Sequence, residues 1–144
     1  MDELGAFLKQ FGNIPLPPGK LEWLQNTLVA TPLEVPRKEE PFIAGIVLGR
    51  RSKGRFVPSF PLLDHVAKYT DQLVRVDEKT AYLFTCGRDI FGRQVEKQHD
   101  ASIVLVLNPH DEVMGMAKNN RTKGMYMNIL DRGLFLRQEM GKRK

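Results

Sequence analysis

Four basic side chains within six residues form a candidate phosphate-binding cluster. Arg50, Arg51, Lys53 and Arg55 occur together, and no acidic residue lies near them in the sequence. Guanidinium and ammonium groups donate charge-assisted hydrogen bonds to phosphate oxygens, so the cluster could act as a phosphate clamp. The alternative is a solvated hairpin tip that needs no partner.

Two further groups of basic residues lie beside glycines in the second half of the chain. Gly87 and Gly92 accompany Arg88 and Arg93, where backbone amides at the glycine turns could join the guanidinium groups in contacting phosphate. A second basic loop follows the strand expected at 112–117. Its basic residues are Lys118, Arg121 and Lys123, and Lys142–Lys144 form a further basic patch. Phe91 and Tyr126 could stack on bases or belong to the core.

The segment around Cys86 has the composition of a cysteine phosphatase loop, in which a thiolate sits in a nest of backbone amides beside an arginine. The register does not fit, because Gly92 occupies the position of that arginine and Arg93 follows one residue late. Cys86 also ends an apolar run, so we expect a buried and inert thiol.

Other catalytic patterns are not supported. Gly19-Lys20 lacks the upstream glycine of a phosphate-binding loop, and no strand is followed by a glycine-rich dinucleotide motif. Asp64-His65 has no serine or cysteine nucleophile to activate, and the histidines have no metal-ligand spacing with Cys86. We therefore expect a binding protein without a cofactor or metal, not an enzyme.

Composition limits the class of partner. The chain has 144 residues, 42% of them hydrophobic, with a net charge of +5 and an isoelectric point near 9.5. The length and hydrophobic content are sufficient for one ordinary domain or two small ones. The excess of basic residues favours a polyanion as the binding partner. We weight nucleic acid above an anionic membrane or an acidic protein. No apolar stretch approaches the roughly 18 residues of a spanning helix, and the acidic N-terminus is unlike a secretory signal, so a cytoplasmic protein is expected.

The first half predicts helices and strands around a small core. Leu4, Phe7, Leu8 and Phe11 recur at helical spacing before Gly12, and Trp23 is expected to be a core anchor more than a stacking platform. Strands are predicted at Leu28–Leu33 and Phe42–Leu48, and the basic cluster is predicted to form the turn after the second strand. Pro61 is expected to begin a second helix. The apolar stripe of that helix consists of Leu62, Leu63, Val66 and Tyr69.

The character of the chain changes near Thr70, where short strands with tight turns begin to dominate. Ile103–Leu107 is unbroken by polar residues, which indicates a strand buried on both faces. Gly115 indicates a close approach by a strand or a ligand, or a bulge. The predicted elements are a strand at Leu73–Val76, a helix at Lys79–Thr85, and strands near 93–97, 102–107, 112–117 and 125–129.

These patterns define an α+β protein with two domains. Residues 1–70 form a small N-terminal α/β domain, and residues 71–144 form a curved sheet or barrel. We expect the two to pack together, because no flexible linker separates them.

A family resemblance rests on both halves. Tyr82-Leu83-Phe84 running into Gly87–Ile90, with Val113–Ala117 beyond, resembles a PUA domain, a small pseudo-barrel RNA-binding module. Gly45–Gly49 followed by Lys53–Phe56 resembles the segment before the PUA-like region in two groups. These are the small two-domain large-subunit ribosome biogenesis factors and the C-terminal extension of Nop/Sun-family RNA cytosine methyltransferases.

The resemblance implies a protein that binds structured RNA, ribosomal or transfer RNA, in ribosome biogenesis, rRNA processing or RNA modification. Methyltransferase activity does not carry over, because the cofactor motif is absent and Cys86 follows Thr85 where the nucleophile would follow proline. The alternative is an adaptor that docks on an RNA methyltransferase or assembly factor through Trp23, Phe42 and the Met114/Met116 strand. The predicted RNA clamp consists of Arg50, Arg51, Lys53, Arg55, Arg88, Arg93, Lys118, Arg121 and Lys123.

Overall fold

The computed structural model describes residues 2–32 and 45–134. The chain divides into two compact units, Met1–Tyr69 and Thr70–Lys144. The predictions for Phe42 and for the patch Lys142–Lys144 fall outside the described residues.

The N-terminal unit begins with the predicted amphipathic helix. The Asp2 side chain caps this helix by accepting a hydrogen bond from the Leu4 amide at 3.1 Å, and Leu4, Phe7 and Leu8 are buried. The elements of this unit are α1 (Glu3–Lys9), β1 (Lys20–Leu24), β2 (Thr27–Thr31), β3 (Ile46–Ser52), β4 (Arg55–Pro58) and α2 (Phe60–Ala67).

The four strands form an antiparallel sheet in the order β1-β2-β3-β4. Between β3 and β4 the turn consists of Lys53 and Gly54, whose φ angles of 52° and 75° are those of a tight two-residue hairpin. The predicted basic turn is therefore corrected: only Lys53 lies in the turn, while Arg50 and Arg51 belong to β3 and Arg55 begins β4.

Aromatic packing joins α1 to this sheet. The ring centroid of Phe7 lies 5.5 Å from that of Phe11 and 5.6 Å from that of Phe56. The Phe56 ring occupies the space above Gly49, where a Cβ would lie 2.4 Å from Cζ of the ring. In α2, Leu62, Leu63 and Val66 are buried as predicted, whereas Tyr69 lies beyond the helix and is exposed.

The C-terminal unit contains a five-stranded sheet in the order β5-β7-β8-β9-β6. The pair β5–β7 is parallel, and the other pairs are antiparallel. The elements are β5 (Leu73–Arg75), α3 (Glu78–Thr85), β6 (Ile90–Phe91), a 3-10 turn (Gly92–Gln94), β7 (Ile103–Leu107), β8 (Val113–Asn120) and β9 (Met125–Asp131).

Strand β7, which lies between β5 and β8, confirms the prediction of burial on both faces, because Val104 to Leu107 are all buried. Val104 and Val106 pack with Phe84 of α3 and with Tyr126 of β9 in one apolar cluster. The helix thus covers the inner face of the sheet.

The chain closes the curled sheet on itself between residues 90 and 95. β6 pairs with β9 at one edge of the sheet, and Val95, a few residues later, forms a bridge with Val76 directly after β5 at the other edge. The strand predicted at 93–97 is therefore wrong. A 3-10 turn replaces it, since the Gln94 side chain accepts the Phe91 amide at 2.8 Å and Gly92 donates to the carbonyl of Gly124.

Gly115 lies where β9 approaches β8 most closely. A Cβ on Gly115 would lie within van der Waals overlap of the Leu130 carbonyl oxygen and 2.9 Å from the Cα of Asp131. The pairing of β8 with β7 and its pairing with β9 are both irregular in register close to Gly115. The sequence left open whether a strand, a ligand or a bulge explains Gly115. The close approach of β9 explains why a glycine is needed at this position.

Gly115→Ala should unfold or severely destabilise the C-terminal unit, because neither backbone can withdraw without breaking its ladder. We expect a loss of about 3 kcal/mol or more in the free energy of unfolding, measured by urea denaturation. Gly124→Ala is the control, since no atom lies within 4 Å of its Cβ position. Gly124→Ala should lower the free energy of unfolding only by the strain of an alanine at a φ of 62°. Equal losses in the two variants would contradict this account.

The cap of α3 predicts a pH dependence of stability. Asp77 accepts a hydrogen bond from the Thr80 amide at 2.7 Å, and this bond lowers the pKa of the carboxyl group. Folding is thus favoured by the ionised form, so the contribution is present above the ordinary aspartate pKa and is lost as pH falls through the lowered folded value. Asp77→Asn keeps a capping side chain but should flatten the acid limb of a plot of melting temperature against pH. An unchanged limb would contradict the assignment.

Candidate nucleic-acid interface

The basic residues of the N-terminal hairpin divide between the two faces of the sheet. Ser52 pairs with Arg55, and Arg50 lies two residues before Ser52, so Arg50 and Arg55 share one face. Arg51 pairs with Phe56 and points to the other face. The hairpin therefore does not present the four cations as one group.

Arg51 supports the fold of the N-terminal unit. Its Nε donates to the Glu3 carboxylate at 2.6 Å, and its guanidinium carbon lies 3.8 Å from the centroid of the Trp23 ring. The half-buried Trp23 in turn meets the Phe56 ring edge-on at 6.3 Å. The Glu3 carboxylate already neutralises Arg51, which makes Arg51 a poorer phosphate ligand than predicted. Trp23, predicted to be a core anchor, is only half-buried and contacts Arg51 and Phe56.

In the C-terminal unit, Arg88 lies on a glycine turn that ends α3. Gly87, with a φ of 95°, donates to the Phe84 carbonyl at 2.9 Å, and the Arg88 amide donates to the Leu83 carbonyl at 3.2 Å. This pair of bonds is a Schellman motif, in which only glycine readily takes the left-handed position. The Arg88 side chain is exposed just before β6.

Phe91 and Arg93 form an exposed cation–aromatic pair at the sheet edge. The Arg93 guanidinium carbon lies 4.7 Å from the centroid of the Phe91 ring, and 42% of Phe91 is exposed. Phe91 is therefore available for stacking, whereas Tyr126 is 2% exposed and its hydroxyl binds the backbone of His99. Of the two aromatics that the sequence singled out, Tyr126 belongs to the core.

Strand register places Lys118 on the same sheet face as Phe91. Phe91 pairs with Met125, Met127 lies two residues further along β9, and Met127 pairs with Lys118. We call this surface the Phe91 face, formed by Phe91, Met125, Met127 and Lys118. It lies opposite the face on which Ile90 and Tyr126 enter the core.

The β8–β9 turn is shorter than the predicted loop, because Lys118 to Asn120 belong to β8. Arg121 donates to the backbone carbonyl of Asp100, so its guanidinium is held towards that loop. Lys123 is exposed in the turn. The backbone of this turn accepts a hydrogen bond directly after β6, from the Gly92 amide to the Gly124 carbonyl at 2.8 Å.

A recess of about 380 Å³ borders the Phe91 face. Its walls come from α3, the Gly87 turn and the β6–β9 edge, so the structure brings Arg88 to the same depression as Phe91. The lining residues are Thr80, Leu83, Gly87, Arg88, Asp89, Phe91, Gln94 and Met125. Within residues 2–32 and 45–134, the ion pairs found do not involve Arg88, Arg93, Lys118 or Lys123.

Two expectations about side chains are corrected. Cys86 is exposed rather than buried, because it caps the end of α3 beyond the apolar face. Met116 is buried and Met114 packs against the core, so this strand does not form the apolar docking surface expected for an adaptor.

Sequence reasoning also missed two residues that hold the site together, Asp89 and Asn128. The Asn128 amide nitrogen donates to the carbonyls of Phe84 and Arg88, and the Asn128 backbone amide donates to the Asp89 carboxylate. No local pattern signals these bonds, because they join residues that are about 40 positions apart.

Comparison with known proteins shows what the C-terminal unit is similar to. Residues 72–140 match the family described as the UPF0113 PUA domain. The fold is similar to the structure of a conserved PUA domain protein from Thermoplasma acidophilum, with a TM-score of 0.52, 16% identity and 92% coverage of both chains. The predicted α+β fold with a PUA-like domain is thus confirmed, and PUA domains as a class bind RNA.

A curated relative extends this similarity into the first half of the chain. A UPF0113 protein of Archaeoglobus fulgidus is 31% identical over 115 residues, which cover 69% of this chain and 64% of the relative. The chain thus spans about 64% of the length of that curated relative.

Neither a metal cluster nor a spanning helix is found in the part of the chain that the structure describes. No group of three histidine, cysteine or acidic side chains there is arranged to hold an ion. No helix among these residues is both long enough and apolar enough to cross a membrane.

Arg51→Ala should lower the stability of the N-terminal unit by about 1 kcal/mol, since it removes a half-exposed ion pair and a cation–aromatic contact. Arg55→Ala is the matched control, because Arg55 lies exposed at the start of β4 on the opposite face. Thermal melts of the two variants separate the roles. Equal melting temperatures would contradict a supporting role for Arg51.

Proposed function

We propose that this protein binds structured RNA, and that the RNA is ribosomal RNA or its precursor during ribosome assembly or modification. The observation that carries the proposal is the Phe91 face, where an exposed aromatic ring lies among cations. Base stacking on such a ring contributes about 1–3 kcal/mol and tolerates any base. The surrounding Arg88, Arg93 and Lys118 would contact phosphates.

The assignment to ribosomal RNA rests on the resemblance to small ribosome biogenesis factors, whereas the match to the UPF0113 PUA domain supports RNA binding in general. The role would be binding rather than catalysis. Arg50, Lys53 and Arg55 of the β3–β4 hairpin would also contact phosphates. Arg51 is left out, because it is engaged with Glu3 and Trp23.

An adaptor role is the second candidate. Leu24 and Ile46 in the N-terminal sheet are each 54% exposed, and a protein partner could cover this apolar area. The partner would be an RNA methyltransferase or an assembly factor. Co-purification that is insensitive to salt would favour this candidate over RNA binding.

Phe91→Ala and Lys118→Ala should weaken RNA binding in different ways. Fluorescence anisotropy with a folded rRNA fragment, measured over a range of salt concentrations, gives affinity and its salt slope. Phe91→Ala should reduce affinity about tenfold or more with an unchanged slope, because stacking releases no counterions. Lys118→Ala should reduce the slope by about one unit.

Matched controls lie on α3 at positions that do not line the recess. Tyr82 is an aromatic that is 67% exposed, and Lys79 is an exposed lysine in the first turn. Alanine at either position should leave affinity and slope close to the parent values. If Tyr82→Ala and Lys79→Ala match the effects of Phe91→Ala and Lys118→Ala, binding is diffuse and the proposed site is wrong.

A further inference from the structure

We infer that Asn128 is a positioning residue for the RNA site, which sets the place of Arg88 without contacting RNA itself. This inference rests on the proposed function. It concerns the turn Gly87–Asp89, which presents Arg88 to the recess beside Phe91.

The Asn128 side chain joins three separate parts of the C-terminal unit. Its Nδ2 donates to the Phe84 carbonyl at 2.9 Å, to the Arg88 carbonyl at 3.4 Å, and to Oδ2 of Asp131 at 3.0 Å. These acceptors belong to the end of α3, to the glycine turn and to β9. One amide group therefore ties the turn and the helix end to the strand.

The backbone of Asn128 adds a fourth bond to the same turn. Its N–H donates to Oδ1 of Asp89 at 2.8 Å. The turn is thus held at two points directly after the Arg88 side chain, the Arg88 carbonyl and the Asp89 carboxylate.

The chemistry at this position requires an amide. Three oxygen acceptors face Nδ2, and an amide nitrogen supplies two hydrogens, one of which is shared. An aspartate would place a carboxylate against two carbonyls and against Asp131, which is 1% exposed. An aliphatic side chain would remove the bond from Nδ2 to each of these three oxygens.

The geometry relates this network to the site. Asn128 lies in β9, the strand that carries Met125 and Met127 on the Phe91 face and that pairs with β6. Fixing the turn to β9 therefore fixes Arg88 relative to the Phe91 ring. When Asn128 is truncated, the guanidinium of Arg88 is no longer held where the RNA phosphate lies.

The test is a double-mutant cycle on RNA affinity, with the folded rRNA fragment as the probe. In the parent, Arg88→Ala should weaken binding about tenfold, the loss of one charge-assisted contact. In an Asn128→Ala background, Arg88→Ala should cost less than about twofold, because the contact is already lost. Lys118→Ala is the control, and it should cost the same factor in both backgrounds.

Asn128→Ala removes a donor from the buried Asp131, so its fold is checked by circular dichroism and thermal melting. If it does not fold, Asp89→Ala replaces it, since this change cuts only the bond from the Asn128 backbone. The loss on Arg88→Ala should again be smaller in that background than in the parent.

Equal factors for Arg88→Ala in the parent and in either folded background would overturn the inference while leaving the RNA site in place. A general loss of stability would instead reduce the effects of Arg88→Ala and Lys118→Ala alike, which also rejects a specific positioning role. If the parent itself shows no salt-dependent binding to RNA, both the proposed function and the inference fall.

Discussion

The C-terminal unit depends on how the chain returns from one edge of its curled sheet to the other. β6 pairs with β9 at one edge, and Val95 reaches Val76 at the other after only a short turn. Gly92 makes this passage possible by approaching the Gly124 carbonyl, and Gln94 satisfies the Phe91 amide. Because successive residues of β6 alternate in direction, burying Ile90 in the core forces Phe91 outward. The exposed ring is thus a geometrical consequence of closing the sheet.

Basic side chains that stabilise the fold are neutralised by carboxylates, and no such pair is found for Arg88, Arg93 or Lys118 among the described residues. Arg51 is held by Glu3, and Arg75 is held by Asp111 and Glu96, which raise the pKa of Arg75 above its ordinary value. Arg88, Arg93 and Lys118 lie instead around an aromatic ring and apolar methionines. A polyanion would supply the counter-charge at that surface, and the excess of cations there accounts for the favoured class of partner.

The sequence predicted elements where local signals were strong. Periodic apolar residues located α1 and α2, and the unbroken Ile103–Leu107 run located a doubly buried strand. It failed at 93–97, where the bond from the Phe91 amide to the Gln94 side chain and the closure of the sheet impose a turn. It did not predict the parallel β5–β7 pair, since register between distant segments is set by tertiary packing.

Site prediction was limited for the same physical reason. Residue type marks a cation, but only the fold shows whether a carboxylate already neutralises it, as Glu3 does for Arg51. Likewise, Phe91 and Tyr126 look alike in sequence, yet adjacent positions in paired strands send one outward and the other into the core. Asn128 carries no local signal at all, because its partners lie far away in the chain.

The central claim is that RNA binds on the Phe91 face, and nuclear magnetic resonance tests it most directly. Isotope-labelled protein is titrated with a short rRNA oligonucleotide, and changes in backbone amide resonances are mapped onto the sequence. The account predicts that the largest changes cluster at residues 87–94 and 118–127, with smaller ones at the β3–β4 hairpin. Changes confined to other parts of the chain, or none at saturating oligonucleotide, would contradict it.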